Sequence, residues 1–231
     1  MPGKVCMGSE KVEQLVIFGC SSFTKSVISL CKKINSLEVV AICVDDEYLD
    51  FVSEYFYDIK VVSFTVAKES YPNALYFPAI GYKSMRQRES VFNKLRRNGL
   101  KIASVVSPNA NVSTNKIGSG CIIFDGVVIE QGAIIHDNVT VWSNVTICHD
   151  VEINSHCFIA ANSTIGGFVE IGARTFIGFS CTLIDSIKVG DECLVGAGSL
   201  VNKSIEGLSK CYGNPVRIIE RINPELGVCL V

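Results

Sequence analysis

The chain has 231 residues, 48% of them hydrophobic, with a net charge of −2. That is enough apolar material for two modest domains, and the charge balance leaves no electrostatic footprint for nucleic acid or an anionic membrane surface. No apolar run is long enough for a transmembrane helix.

Residues 1–10 lack the apolar core of a leader and read as a flexible tail. Residues 11–107 alternate between strand and helix signals. Leu15–Cys20 is a short apolar run carrying Gly19, and Phe23–Ile34 has helical spacing with Ser21 or Ser22 as its N-cap. Strands are expected at Glu38–Val44, Lys60–Phe64, Ala74–Ile80 and Lys101–Val106, and a charged helix at Ser84–Asn98 is closed by Gly99. This order predicts a small α/β domain with a parallel sheet.

Residues 108–220 follow another rule. From Ile117 to Val201 every sixth residue is aliphatic, fifteen times in succession. A period of six suits a parallel β-helix, in which each hexapeptide makes one flat side and three hexapeptides make one triangular coil. The residue two before each aliphatic is mostly small or β-branched, as in Cys121, Val127, Ala133 and Ser163. The residue after it is often glycine, as in Gly118, Gly166 and Gly178, which suggests corners of unusual φ/ψ. Gly213-Asn214-Pro215 is a turn, Val216–Ile222 reads as a short helix, and 221–231 as a C-terminal tail.

Of the eleven cysteines, Cys121, Cys157, Cys181 and Cys193 take the small inward position, where a thiol acts as a compact hydrophobe. No CxxC pair occurs, so structural thiols in a reducing cytoplasm are the simplest account. The three histidines are His136, His149 and His156. Their register positions differ, so a shared metal site is not expected. His149 is followed by Asp150, a carboxylate able to orient an imidazole for proton transfer. The bland alternative is an exposed corner histidine. Cys148 and His149 are neighbours in extended chain and point apart, which argues against a Cys–His nucleophile.

In the α/β part, Gly19-Cys20-Ser21-Ser22-Phe23 follows a strand and opens a helix, a geometry that favours phosphate. It lacks the further glycines of a dinucleotide fingerprint. Asp45 and Asp46 end the next strand, and Gly81-Tyr82-Lys83 follows another at the same sheet edge, where open α/β sheets bind ligands. The basic run Lys94, Arg96, Arg97 reads as a solvated helix end that suits the helix dipole. Trp142 and Phe179 are outward aromatics placed to wall an interface between copies.

Taken together, VIFGCSSF, CVDD, PAIGYK and the hexapeptides resemble the bacterial sugar acetyltransferases of the sialic-acid O-acetyltransferase and bacillosamine N-acetyltransferase kind, from about Leu15 to Ile219. The resemblance implies a Rossmann-like N-terminal domain and a left-handed parallel β-helix. It also implies a homotrimer with acetyl-CoA as co-substrate. Its acceptor would be a nucleotide-linked amino-deoxysugar. His149 would be the general base, oriented by Asp150. Gly167, Phe179, Ala197 and Gly198 would line the CoA, with Gly213-Asn214-Pro215 closing near its tail. The glycine-rich turn Gly19–Phe23, Asp45, Asp46 and Gly81–Lys83 would hold the sugar nucleotide. Phe23 stands where some members carry a histidine in that turn, and Phe158 where some carry a second histidine. Acetylation of a hydroxyl, and a scaffold that binds without catalysis, are the competing readings. A metal hydratase is a third.

Overall fold

The computed structural model describes residues 12–230, and the tail expected over 1–10 lies outside them. The N-terminal unit is a six-stranded sheet in the order β3-β4-β2-β1-β5-β6. Its strands are β1 (Glu13–Phe18), β2 (Leu37–Val44), β3 (Tyr55–Phe56), β4 (Ile59–Ser63), β5 (Leu75–Pro78) and β6 (Lys101–Ile102). All pairings are parallel except the β3–β4 hairpin. Helices α1 (Ser22–Cys31), α2 (Phe64–Ser70) and α3 (Met85–Arg97) cover it. Leu15, Ile17 and Ile42 pack with α1 residues, while Val16, Phe18 and Ala41 pack with α2 and α3 residues. Both faces are thus buried, as parallel sheets require. Ser21 N-caps α1, and Gly99 ends the third helix with φ 70°. Helix α2 was not anticipated: β4 runs straight into it with Ser63 as cap, accepting from Val66 N at 3.2 Å, so no glycine or proline marks the change.

The expected strand at Lys101–Val106 is two strands. Lys101–Ile102 pairs with β5, whereas Val105–Val106 pairs with Ile122–Ile123 and opens the β-helix, which therefore starts before residue 108. Paired residues are then eighteen apart, as Val128↔Thr146 and Thr146↔Thr164 show, so three hexapeptides do complete one coil of this left-handed parallel β-helix. The aliphatics and the small residues two before them fill one continuous core. The small position also bonds. Cys157 Sγ donates to Gly172 O at 3.0 Å, Ser163 Oγ to Gly178 O at 2.8 Å and Thr175 Oγ1 to Gly190 O at 2.9 Å. Thiols and hydroxyls recur there because each meets a buried carbonyl of the following coil.

The glycine after each aliphatic has a different reason from the one expected. Gly118, Gly166, Gly172, Gly178, Gly190 and Gly196 have ordinary φ. They are needed for close approach: a Cβ on Gly178 would lie 2.6 Å from Ala197 N. Left-handed backbone falls instead three residues after the aliphatic, at Asn138, Asn144, Asp150, His156, Asn162 and Phe168 among others. Non-glycine residues in that region cost energy individually and persist because the coil above and below dictates them.

The coil has three faces. The first, carrying Ile122, Thr140, Phe158 and Phe176, is buried under the N-terminal unit. The second presents Val128, Thr146, Thr164, Thr182 and Leu200, all uncharged and none fully buried. The third presents Ile134, Glu152, Glu170 and Lys188. The expected helix at Val216–Ile222 is a strand, Arg217–Arg221, antiparallel to Ser209–Tyr212. The last coil leaves an open sheet edge, and the chain turns at Gly213–Pro215 to satisfy it with β-branched residues. The segment beyond is not a loose tail, for Val228 is 1% exposed and packs with the N-terminal core.

Candidate functional site

Strand order reverses between β1 and β5. Loops leaving the carboxyl ends of two such strands diverge and leave a crevice. The turn after β1 and the loop after β5 line a cavity of about 570 Å³. Gly19–Phe23 and Ser26 form one wall, and Ala79–Ser84 the other. Gly19 has φ 118°, and a Cβ there would meet Ala79 O at 2.7 Å, so the two walls require glycine where they touch. Thr24 Oγ1 accepts from Ser21 N at 3.1 Å and donates to Gly19 O at 2.8 Å, locking the turn.

Trp142, Phe158 and Phe179 of the β-helix floor the cavity. Trp142 stacks on Phe23 at 5.7 Å and on Phe158 at 5.7 Å. It therefore joins the two units within one chain while staying half-buried. Phe23 and Phe158, the two aromatics standing where histidines were considered, belong to the same stack. Arg88, 2% exposed, ties this junction: its Nη1 donates to Ile80 O at 2.5 Å, and its Nη2 to Asn138 O and Thr140 Oγ1 at 2.9 Å. Burial pulls its guanidinium down to about 10, which still leaves it charged at neutral pH.

Asp45 and Asp46 follow β2 and do not line that cavity. Asp45 pairs with Lys94, whose ammonium also sits 4.9 Å above the Phe64 ring, so Lys94 is not simply a solvated helix end. Asp46 accepts from Thr65 N at 3.1 Å and Thr65 Oγ1 at 2.6 Å, bonds that hold its carboxyl below the usual range.

His149 sits at the corner between the second and third faces, with its side chain 54% exposed. Its Nδ1 lies 3.1 Å from Asp150 Oδ2. Glu130, which the sequence did not single out, accepts from His149 N at 2.8 Å. Phe168 packs edge-on to the imidazole at 5.0 Å. Gly167 is one coil on, and a Cβ there would come 2.8 Å from His149 Cε1, so the ring rests directly on glycine. The Gly167 N–H donates to Asp185 Oδ1 at 2.9 Å. Cys148, beside His149, is half-buried, and burial raises its thiol.

Phe179, Ala197 and Gly198 occupy the other corner, between the first and second faces, with Gly198 N donating to Phe179 O at 2.8 Å. The closing turn lies beside them: Gly213 N donates to Ser199 Oγ at 3.1 Å and Gly213 O accepts from Leu200 N at 3.0 Å. Of the residues singled out by sequence, the structure thus forms two groups. Gly19–Phe23, Gly81–Lys83 and Phe179 share the cavity, with Ala197 and Gly198 next to Phe179, whereas His149, Asp150 and Gly167 lie on the opposite edge of the second face.

The remaining histidines have partners of their own. His136 Nε2 lies 2.8 Å from Glu152 Oε1. His156 is buried, bonds Asn138 through Nδ1 at 3.0 Å, and burial pushes it down to about 4. It is neutral at pH 7, so its 3.7 Å approach to Glu89 is not an ion pair there. Among the described residues no group of three or more His, Cys, Asp or Glu is arranged to hold a metal. All ten described cysteines are free, and no described helix is long and apolar enough to cross a membrane.

Three family models match the chain. The PglD N-terminal domain matches residues 14–95, the bacterial transferase hexapeptide (six repeats) residues 132–167, and the hexapeptide repeat of succinyl-transferase residues 168–203. No curated protein matches the sequence. Among solved structures, the chain is similar to a mutant of perosamine N-acetyltransferase from Caulobacter crescentus in complex with CoA and GDP-perosamine. The two are 23% identical with a TM-score of 0.80, over 92% of this chain and 100% of that one. It is also similar to the acetyltransferase domain of PglB from Neisseria gonorrhoeae FA1090 in complex with acetyl coenzyme A, at 22% identity and a TM-score of 0.80 over 90% of this chain and 100% of that one. WeeI from Acinetobacter baumannii AYE matches at 18% identity and a TM-score of 0.58 over 90% of this chain and 100% of that one. At these identities the likeness establishes the fold.

Proposed function

Since the chain belongs with proteins that join a PglD N-terminal domain to transferase hexapeptide repeats, we propose that it transfers acetyl from acetyl-CoA to an amino group of a nucleotide-linked amino-deoxysugar. The neighbours crystallised with CoA, acetyl-CoA and GDP-perosamine support this substrate class. The cavity receives the sugar nucleotide, with the N-terminus of α1 and Lys83 facing its phosphates and Trp142 and Phe179 its apolar parts. Asp45 and Asp46 stand outside its lining, bonded to Lys94 and Thr65.

One observation carries the assembly. The cavity and His149 stand on opposite edges of the second face, and that face is neither covered nor charged. Around a three-fold axis lined by second faces, the His149 corner of one copy meets the Phe179 corner of the next, because a head-to-tail interface that closes makes a ring. The site is then shared by two copies of a homotrimer, with acetyl-CoA in the groove between them.

In that groove the amine attacks the thioester carbonyl while Nε2 of His149 takes its proton. Asp150, 3.1 Å from Nδ1, holds the ring in place. The tetrahedral intermediate collapses, the C–S bond breaks, and His149 returns the proton to the leaving thiolate. Amide and free CoA thiol result, and no acyl-enzyme is required. A positioned base contributes about 10²–10⁴-fold. The Gly167 N–H is already held by Asp185, so Gly167 serves by giving the imidazole room. Eighteen residues after Phe179 and Ala197 stand Ala197 and Pro215, which carry no carboxylate, so those corner N–H groups are the ones offered to the pantetheine amides and the oxyanion. A cytoplasmic setting agrees with ten free thiols. Thiol release from acetyl-CoA, measured against a panel of nucleotide-linked amino sugars and hydroxy sugars, tests the reading. Release with no amino sugar of the panel would overturn it.

A further inference from the structure

The Gly81–Ser84 wall of the cavity falls between β5 and α3, and its backbone is held from the far end of the chain. Leu230 N donates to Lys83 O at 2.9 Å, Met85 N donates to Val228 O at 3.2 Å, and Ser84 and Cys229 form an antiparallel bridge between those two bonds. Val228 is 1% exposed among Met85, Phe158 and Phe176. Arg86 reinforces the junction from three directions. Its Nη1 donates to Glu225 O at 2.6 Å and its Nη2 to Pro224 O at 2.7 Å. Its Nη2 also reaches Glu192 at 2.9 Å, a buried corner carboxylate shared with Arg174 Nε at 2.9 Å. Gly227 passes this pair with φ 65° and leaves no room for a Cβ against Glu192 and Arg86. Tyr82, in the middle of the wall, rests on the aromatic floor at 5.1 Å from Phe158 and 5.7 Å from Phe176.

We propose that residues 224–230 form a strap that fixes the Gly81–Ser84 wall, making Arg86 and Val228 positioning residues for the nucleotide-linked sugar and not for acetyl-CoA. The proposal rests on the reading of the cavity as the sugar-nucleotide site. Neither residue lines the cavity, and both act through the backbone of the wall. Since the strap reaches that wall and the Glu192 corner but not the His149 corner, loosening it alters one substrate's binding selectively.

The test separates the two KM values. Arg86→Ala should raise KM for the nucleotide-linked amino sugar about tenfold or more and leave KM for acetyl-CoA within about twofold, with Arg86→Lys falling between. A Ser84→Cys change in the Arg86→Ala chain places a thiol opposite Cys229. Bridged antiparallel Cα atoms lie at roughly 4.5–5.5 Å, within disulfide range. Oxidation should then restore the sugar KM and reduction should lose it again, while a further Cys229→Ser change abolishes the rescue. Both KM values moving together, an unchanged sugar KM, or a cross-link that restores nothing overturns the strap. Titration of the wild-type chain with the same sugar nucleotide distinguishes the failures. A wild type that does not bind overturns the functional reading and the strap with it, whereas equal binding by wild type and Arg86→Ala overturns the strap alone.

Discussion

The two halves of the molecule reach their registers by different means. Between Ile122 and Val201 the strands of the β-helix pair with one another eighteen positions apart, Val128 with Thr146 and Thr146 with Thr164. In the N-terminal sheet Leu15 pairs with Val39 on one side and with Leu75 on the other. The coil's pairing is written in its period, whereas the sheet's depends on which crossovers close first. The proposed chemistry follows the same division: the coil places His149 at a corner, where the period leaves the residue free, and the sheet places the cavity between loops at the point where strand order reverses.

The sharpest way to break this division is at a corner. His149→Ala should lower kcat/KM by about 10²–10⁴-fold and leave the melting temperature near wild type, since the imidazole is exposed and fills no core. A drop in stability equal to that of a core change would mean that the corner is structural. The interior should behave oppositely. Ile171→Ala removes a fully buried branched side chain and should cost about 2–5 kcal/mol in denaturant unfolding, with CoA chemistry altered only through folding.

The junction between the halves gives a pH-dependent effect. His156 is neutral in the fold at about 4, against 6.5 in the unfolded chain. The unfolded state therefore binds more protons between those values, so stability is intact above pH 6.5 and falls as pH drops towards 4. The loss should approach about 3 kcal/mol at its limit, by the linkage of one pH unit to 1.36 kcal/mol. His156→Gln should flatten the slope in chemical denaturation at pH 4–7, and an unchanged slope would assign the acid sensitivity elsewhere. The two kinds of corner position should also separate. Gly178→Ala drives a Cβ to 2.6 Å from Ala197 N and should cost about 1–3 kcal/mol, while Gly198→Asn, with φ 70° and open space around it, should cost less than about 1 kcal/mol.

Much of this was legible from the chain because the period is nearly unbroken. The fifteen aliphatics and their small companions are the core that was found, and the β1–α1 turn and the β5–α3 loop meet as their sheet-edge positions implied. What the period could not carry is what lies outside it. Val216–Ile222 reads as a short helix, but the open edge of the last coil draws Arg217–Arg221 into a strand. Trp142 looks like any outward aromatic until the N-terminal unit covers the first face. The corner glycines carry no mark to show whether they answer to φ or to a neighbouring backbone, and only the stacking of coils distinguishes the two. Glu130, Lys94 and the strap act through contacts far apart in sequence, which local patterns do not encode.

Subunit complementation tests the central claim most directly. His149→Ala alone and the cavity-filling Ser22→Trp alone should each be inactive. Co-expressed in equal amounts, they should recover roughly a quarter of wild-type turnover, because random trimers place an intact His149 corner against an intact cavity in that fraction of their shared sites. A mixture as inactive as its parents would contradict a site divided between copies.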